Sequence, residues 1–128
     1  MKGRVFIVED HPELVRSYRV LLSLWDGIEI CGTAVSAEEA LDSELLDLAE
    51  LVMVDISLPG MDGITLLRHL RARAFSGHLV VVSGHAEDQY ASAALGAGAD
   101  AFVDKSRPEV LIDVLERFLG GGTPVPVG

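Results

Sequence analysis

Leu51-Val52-Met53-Val54-Asp55-Ile56 is an apolar run that ends in one carboxylate and passes into Ser57-Leu58-Pro59-Gly60-Met61-Asp62-Gly63. Apolar residues followed by Asp55 predict a short buried strand that delivers an acid at its C-terminal end. A buried carboxylate without a partner is costly, so an acid in that place needs a cation or a chemical role. Asp55 is therefore read as the centre of a site.

The same pattern recurs upstream. Val5-Phe6-Ile7-Val8 is a second β-forming run, and it ends in Glu9-Asp10. His11-Pro12-Glu13 then opens a helix with Pro12 in its first turn. Leu14, Val15, Tyr18, Leu21, Leu22 and Trp25 give that helix one apolar face, and Asp26-Gly27 is expected to stop it. Residues 28–34 predict a second strand. Ser36 with Glu39 resembles a capping box for a second helix carrying Ala37, Ala40, Leu41 and Leu45.

Downstream of Asp55, Pro59-Gly60 marks a turn, and Asp62 or Gly63 starts a third helix with Ile64, Leu67 and Leu70 inside. Arg68, Arg71 and Arg73 fall away from that stripe and predict a solvated basic face. Leu79-Val80-Val81-Val82 runs into Ser83-Gly84-His85. Residues 86–97 then keep Tyr90, Ala93, Ala94 and Ala97 on one side. That alanine-rich face buries little area, so this helix should be the least firmly anchored. Ala101-Phe102-Val103 leads to Asp104-Lys105-Ser106, and Ser106 with Glu109 resembles a cap for a last helix bearing Val110, Leu111, Val114, Leu115 and Phe118.

Strands alternating with helices at this spacing predict an α/β fold with a parallel sheet. Right-handed crossovers then bring all the strand C-termini to one edge, where such folds bind ligands. Glu9, Asp10, Asp55, Ser83 and Lys105 all stand at or just past strand ends, so they converge although they are far apart in sequence. Three carboxylates facing one another repel, and a hard divalent cation holds them ionised. Mg²⁺ suits the oxygen ligands, whereas the four histidines, His11, His69, His78 and His85, show no zinc spacing. A lysine and a serine hydroxyl opposite the metal would hold a tetrahedral anion, which points to phosphoryl transfer onto a carboxylate.

Composition narrows the alternatives. A chain of 128 residues that is 49% hydrophobic fits one domain with a real core. Twenty acidic against ten basic residues give a net charge of −10, which argues against nucleic-acid contact by this domain. Cys31 has no partner for an internal disulfide and reads as a small core residue. No run approaches a membrane span and no signal sequence is seen, so a cytoplasmic protein is expected.

These residues resemble the receiver domains of two-component response regulators, and the resemblance covers essentially the whole chain before its tail. Glu9-Asp10 is similar to that family's acidic pair, and Asp55 to its phosphoacceptor. Leu58-Pro59-Gly60-Met61-Asp62-Gly63 is similar to the loop that follows, Ser83 to the hydroxyl position, Phe102 to the aromatic switch position and Lys105 to the family lysine. The resemblance implies a flavodoxin-like (CheY-like) five-stranded parallel sheet of order 2-1-3-4-5 with five helices on both faces. It also implies Mg²⁺ held by Glu9, Asp10, Asp55 and the backbone carbonyl of Ser57, and phosphoryl transfer from a sensor histidine kinase or phosphotransfer protein. Phosphorylation would switch the surface of the fourth helix and fifth strand, with a homodimer forming on phosphorylation. Asp10-His11-Pro12, Lys105-Ser106 and the Gly-rich end look most like the NarL/FixJ (LuxR-type) branch.

Two positions depart from the family pattern: Ser106 stands where many receivers carry a proline in a cis bond, and Phe102 replaces the commoner tyrosine. Each role has a plainer reading beside it: Glu9 as a surface acid, Ser83 as a helix N-cap, Lys105 as a solvated lysine, Phe102 as a core aromatic. Ser57 and His85 would flank the path of the water that hydrolyses the acyl phosphate. Residues 1–119 are read as the receiver and 120–128 as a Gly/Pro tail or the start of an interdomain linker, so that the chain is expected to be the receiver of a LuxR-type transcriptional regulator. A stand-alone response regulator in a phosphorelay is the alternative. A phosphatase-like enzyme on a similar fold is disfavoured because Ser57 stands where it would need a second acid, and a phosphorylation-independent pseudo-receiver because the acid, serine and lysine set is complete. The chain is thus read as a regulatory domain and not an enzyme, capable at most of self-phosphorylation from small donors and self-dephosphorylation.

Overall fold

A computed structural model of the chain describes residues 3–84 and 88–120. Its strands are β1 (Gly3–Val8), β2 (Ile28–Ala34), β3 (Leu51–Asp55), β4 (His78–Ser83) and β5 (Ala101–Asp104). Between and after them come α1 (Pro12–Leu22), α2 (Ala37–Asp42), a 3-10 turn at Glu44–Leu48, α3 (Gly63–Ala72), α4 (Asp88–Gly96) and α5 (Pro108–Leu119). The five strands form one sheet ordered β2-β1-β3-β4-β5, and every neighbouring pair is parallel, as the sequence predicts.

Side-chain alternation divides the sheet into two cores. Phe6, Val8, Val52, Val54, Leu79 and Val81 face α2, α3 and α4, meeting Ala37, Ala40, Leu66, Leu67, Leu70 and Ala94. Val5, Ile7, Met53, Val80, Val82 and Val103 face α1 and α5, meeting Tyr18, Leu22, Leu111 and Leu115. Because both faces are covered, the inner strands β1, β3 and β4 carry unbroken apolar runs, while the edge strand β2 is mixed.

Several local expectations hold. Pro12 opens α1 at its first turn, Ser36 Oγ accepts from Glu39 N at the start of α2, and Asp62 Oδ1 accepts from Thr65 N at the start of α3. Gly63 is required there because a Cβ would lie 2.5 Å from the Asp55 carbonyl oxygen. That close approach packs α3 directly under the end of β3.

Others are corrected. Helix α1 ends at Leu22, before Asp26-Gly27, and Trp25 instead ties its end to α5 by donating from Nε1 to Glu116 Oε1 at 2.7 Å. Helix α2 stops at Asp42, so the buried leucine after it is Leu46 in the 3-10 turn, while Leu45 is exposed. Leu66 joins Leu67 and Leu70 inside α3, and Ile64 is only half-buried. Arg71 is half-buried and not a free solvated cation: its guanidinium donates to the carbonyls of Phe75, Gly77 and Gly98 and to Asp100 Oδ2 at 2.9–3.1 Å. Tyr90 and Ala93 face outward, leaving Ala94 and Ala97 as the inner side of α4 and its end. Ser106 does not cap α5; its N–H and hydroxyl both donate to Asp104 Oδ1, and the helix starts at Pro108. The expected tail beyond residue 120, and residues 86–87 of the expected fourth helix, lie outside the described residues.

Candidate functional site

The strand order places the reversal of winding between β1 and β3, because β2 lies on one side of β1 and β3 on the other. Ligands of doubly wound sheets bind outside the strand C-termini at that point. Glu9 and Asp10 leave β1 there and Asp55 ends β3, with Val8 paired to Val54 in register. Ser83 ends β4, paired to Asp104. The Lys105 N–H donates to the Ser83 carbonyl at 2.8 Å, so the backbone fixes where the lysine side chain starts.

Lys105 Nζ reaches back across the edge to Glu9 Oε1 at 2.9 Å and Asp55 Oδ2 at 3.3 Å. Glu9 and Asp55 are almost wholly buried, 2% and 3% exposed. Burial pushes the Glu9 carboxyl up, against the Lys105 and His11 hydrogen bonds that hold it down. Burial alone would lower Lys105, but its hydrogen bond to Glu9 and the Asp55 charge outweigh that and leave it above the ordinary lysine value. Asp55 Oδ1 accepts from Ser57 N at 3.0 Å, while the Ser57 side chain faces solvent.

The convergence read from the sequence is therefore present for Glu9, Asp10, Asp55 and Lys105. Ser83 is fully buried at the same edge, and Phe102 is half-buried against the α2–α4 side of the core. His85 lies outside the described residues. The Lys105–Ser106 peptide is trans, like every described peptide bond.

One participant was missed. His11 Nδ1 lies 3.0 Å from Glu9 Oε2 and 3.2 Å from Asp10 Oδ1. The Glu9 hydrogen bond first, and the Asp10 charge second, push the imidazole up. The available signal was its place directly between the acid pair and a proline.

One ligand atom each from Glu9, Asp10, His11 and Asp55 lies within 4.8 Å of the others. Asp10 Oδ1 is shielded from solvent and accepts no hydrogen bond from the described residues, the nearby imidazole nitrogen pairing with Glu9 Oε2 instead. A shielded, orphaned carboxylate oxygen among further carboxylates is the chemistry of a hard-cation site, so the residues present fit a divalent ion. The excess of acid over the single lysine leaves the edge negatively charged, ready for a cation and an anion together.

A profile of the response regulator receiver domain matches residues 5–116. The chain belongs to the response regulator receiver domain family. It is 35% identical over 121 residues to the nitrate/nitrite response regulator protein NarL of Escherichia coli (strain K12), an alignment covering 91% of this chain and 55% of that protein. Among solved structures, a LuxR-family two-component response regulator from Aurantimonas sp. superposes with a TM-score of 0.86 at 30% identity, covering 94% of this chain and 86% of that one. The receiver domain of the NarL-type regulator from Mycobacterium tuberculosis gives 0.83 at 29% identity, covering 93% and 98%. The chain thus spans about half the length of the curated relatives it matches. Receiver domains are regulatory modules of two-component systems, and the LuxR-type relatives agree with the branch read from Asp10-His11-Pro12. No described helix is long and apolar enough to cross a membrane.

Proposed function

We propose that this receiver stores a signal as a phosphoryl group on Asp55, taken from the phosphohistidine of a sensor histidine kinase or phosphotransfer protein. The observation that supports it is the buried Asp55 carboxylate held between Lys105 Nζ and the Ser57 N–H, beside Glu9 and Asp10. Glu9, Asp10, Asp55 and the Ser57 carbonyl would hold Mg²⁺, which would neutralise charge on the carboxylates and the phosphoryl oxygens.

A carboxylate oxygen of Asp55 attacks phosphorus in line, the new O–P bond forms as the P–N bond breaks, and the donor imidazole leaves with the electron pair. The Ser57 N–H fixes the carboxylate for that attack, which is a matter of positioning more than of covalent assistance. The product adds roughly two negative charges where one stood. Lys105, already within 3.3 Å of Asp55, follows the new anion and loosens its hold on Glu9. Ser83 offers its hydroxyl to a phosphoryl oxygen, and Phe102 turns from half-buried to buried. The face carried by α4 and β5 changes in response; among the described side chains of α4 the buried one is the small Ala94, so the two states differ little in energy.

In the cell the domain acts in the cytoplasm as the receiver of a LuxR-type transcriptional regulator and dimerises on phosphorylation. That the curated relatives are regulators of the LuxR-type branch supports this reading; a stand-alone phosphorelay protein is the alternative. Intact mass after incubation with acetyl phosphate and Mg²⁺ tests the central step. One phosphoryl increment is expected on the wild type and none on Asp55→Asn; an increment that survives the substitution refutes the assignment.

A further inference from the structure

His11 precedes Pro12, and a residue before proline is kept out of the helical region. Its backbone is accordingly extended, φ −94° and ψ 111°, which also suits its place as the N-cap of α1. The chain therefore turns at His11, and its N–H donates to Glu9 Oε2 at 3.3 Å while the ring folds back over the acid pair. The imidazole is aimed at the acids by local backbone geometry and not by packing, since it is 58% exposed.

The distances define more than an ion pair. Around an octahedral ion with bonds of about 2.1 Å, adjacent donor atoms stand about 3.0 Å apart and opposite ones about 4.2 Å. His11 Nδ1 stands 3.0 Å from one Glu9 oxygen and 3.2 Å from Asp10 Oδ1, the spacing of adjacent donors, while the full set of four candidate ligand atoms spreads to within 4.8 Å and would draw in slightly around an ion. Asp10 Oδ1, 3.2 Å from the ring nitrogen, has no hydrogen bond from the described residues to give up. The other carboxylate atoms near the centre, Glu9 Oε1 and Asp55 Oδ2, face Lys105, so the nitrogen occupies a side of the cluster that the lysine leaves open.

We propose that His11 Nδ1 is a ligand of the metal centre, making it a mixed oxygen–nitrogen site that takes an imidazole-accepting divalent ion such as Mn²⁺, Co²⁺ or Ni²⁺ more readily than an all-oxygen site would. The inference rests on the reading of Glu9, Asp10 and Asp55 as cation ligands. Mg²⁺ prefers oxygen donors and retains its waters, whereas imidazole is a good ligand for the later first-row ions. The nitrogen therefore adds affinity for those ions and little for Mg²⁺. On coordination the Nδ1 lone pair goes to the ion, and any proton shared with Glu9 leaves to solvent.

The test compares wild type with His11→Ala and His11→Gln, titrating Mg²⁺ and Ni²⁺ calorimetrically at one fixed pH. Pulsed EPR of bound Mn²⁺ reads nitrogen coupling directly, with Mg²⁺ competition identifying the signal as this site and not surface histidines. His11→Gln retains a hydrogen-bond donor toward Glu9, which separates ligation from mere positioning of the acid. Expected are an imidazole nitrogen coupling in the wild type that both variants lose, a fall of about tenfold or more in Ni²⁺ affinity, and Mg²⁺ affinity essentially kept. Mg²⁺-competable Mn²⁺ binding without nitrogen coupling, or equal losses for both ions, would overturn the role of His11 alone. A wild type that binds neither ion overturns the metal-site reading and this inference with it.

Discussion

At the C-terminal edge of the sheet Lys105 spans Glu9 and Asp55; at the N-terminal edge of β4 and β5, Arg71 spans α3, the loop before β4 and the turn before β5. Both are long cations beside carboxylates, but they solve opposite problems. Arg71 spreads its donors over three backbone carbonyls and Asp100, and Asp100 in turn accepts from Leu79 N at 2.8 Å. That cluster is closed. Lys105 faces more carboxylate than it can neutralise, and Asp10 Oδ1 beside it has no donor. A rigid planar fork suits fixed carbonyls, and a single mobile ammonium suits a partner whose charge will change. One edge is closed, and the other carries the charge imbalance on which the proposed phosphorylation would act.

The largest test of that contrast is Arg71→Ala. It strips donors from the Phe75, Gly77 and Gly98 carbonyls and leaves Asp100 without its cation, so about 2 to 3 kcal/mol of stability should be lost in urea unfolding. Arg71→Lys should recover less than half, because one ammonium cannot reach carbonyls on both sides. Mg²⁺ should restore neither variant. A loss near zero would mean that water replaces the guanidinium and that this edge is not closed.

Substitution at the open edge should have the opposite sign. Asp10→Asn removes one of three crowded carboxylates and supplies a donor where none is aimed, so the metal-free protein should gain about 1 kcal/mol at low salt. The rise in melting temperature that Mg²⁺ gives the wild type should vanish in the same variant. Destabilisation by Asp10→Asn would show that the acid pair is a structural element like the Arg71 cluster.

The two edges also differ in how far their sequence reveals them. At the responding edge the chemistry stands at strand ends, and strand ends are marked by where apolar runs stop; Asp55, Glu9, Asp10 and Lys105 were legible for that reason. The five-strand alternation was legible through the same runs. Arg71 was not, because helical periodicity gives the angle at which a side chain leaves its helix and nothing about what waits there. Its partner Gly98 sits at φ +113°, and a Cβ there would come within 2.6 Å of Arg71 Cγ, a fit that exists only between segments distant in sequence. Ser106 failed for a related cause: its hydroxyl and N–H are both given to Asp104 Oδ1, so the hydroxyl is turned away from the helix it was expected to cap. That arrangement holds the Asp104 carboxyl below its ordinary range, its Ser106 hydrogen bonds being the main cause. His11 was hidden because its approach to the acid pair depends on the extended backbone that Pro12 imposes, which residue spacing alone does not show.

Tyr18 of α1 gives the smallest and most selective probe of the open edge. It is buried on the α1 side of the sheet, and burial first, then the charges of Glu9 and Asp55, push its phenol well above the usual tyrosine range. The unfolded chain releases that proton near pH 10, while the folded protein keeps it. The stability linked to the protonated ring is therefore whole below pH 10 and drains away as pH rises above it, because only the unfolded state then gains by ionising. At pH 10 the deficit is about 0.4 kcal/mol relative to neutral pH, and it steepens beyond. Tyr18→Phe removes the ionising group, so the variant's stability should fall less between pH 9 and pH 11 than that of the wild type. Since two of the three causes are the site's own carboxylates, the phenol titration followed by ultraviolet difference absorbance should move back toward the ordinary value in Asp55→Asn. The Arg71→Ala variant, far from those charges, should leave it where it is; a shift there instead would mean that the two edges are coupled through the sheet.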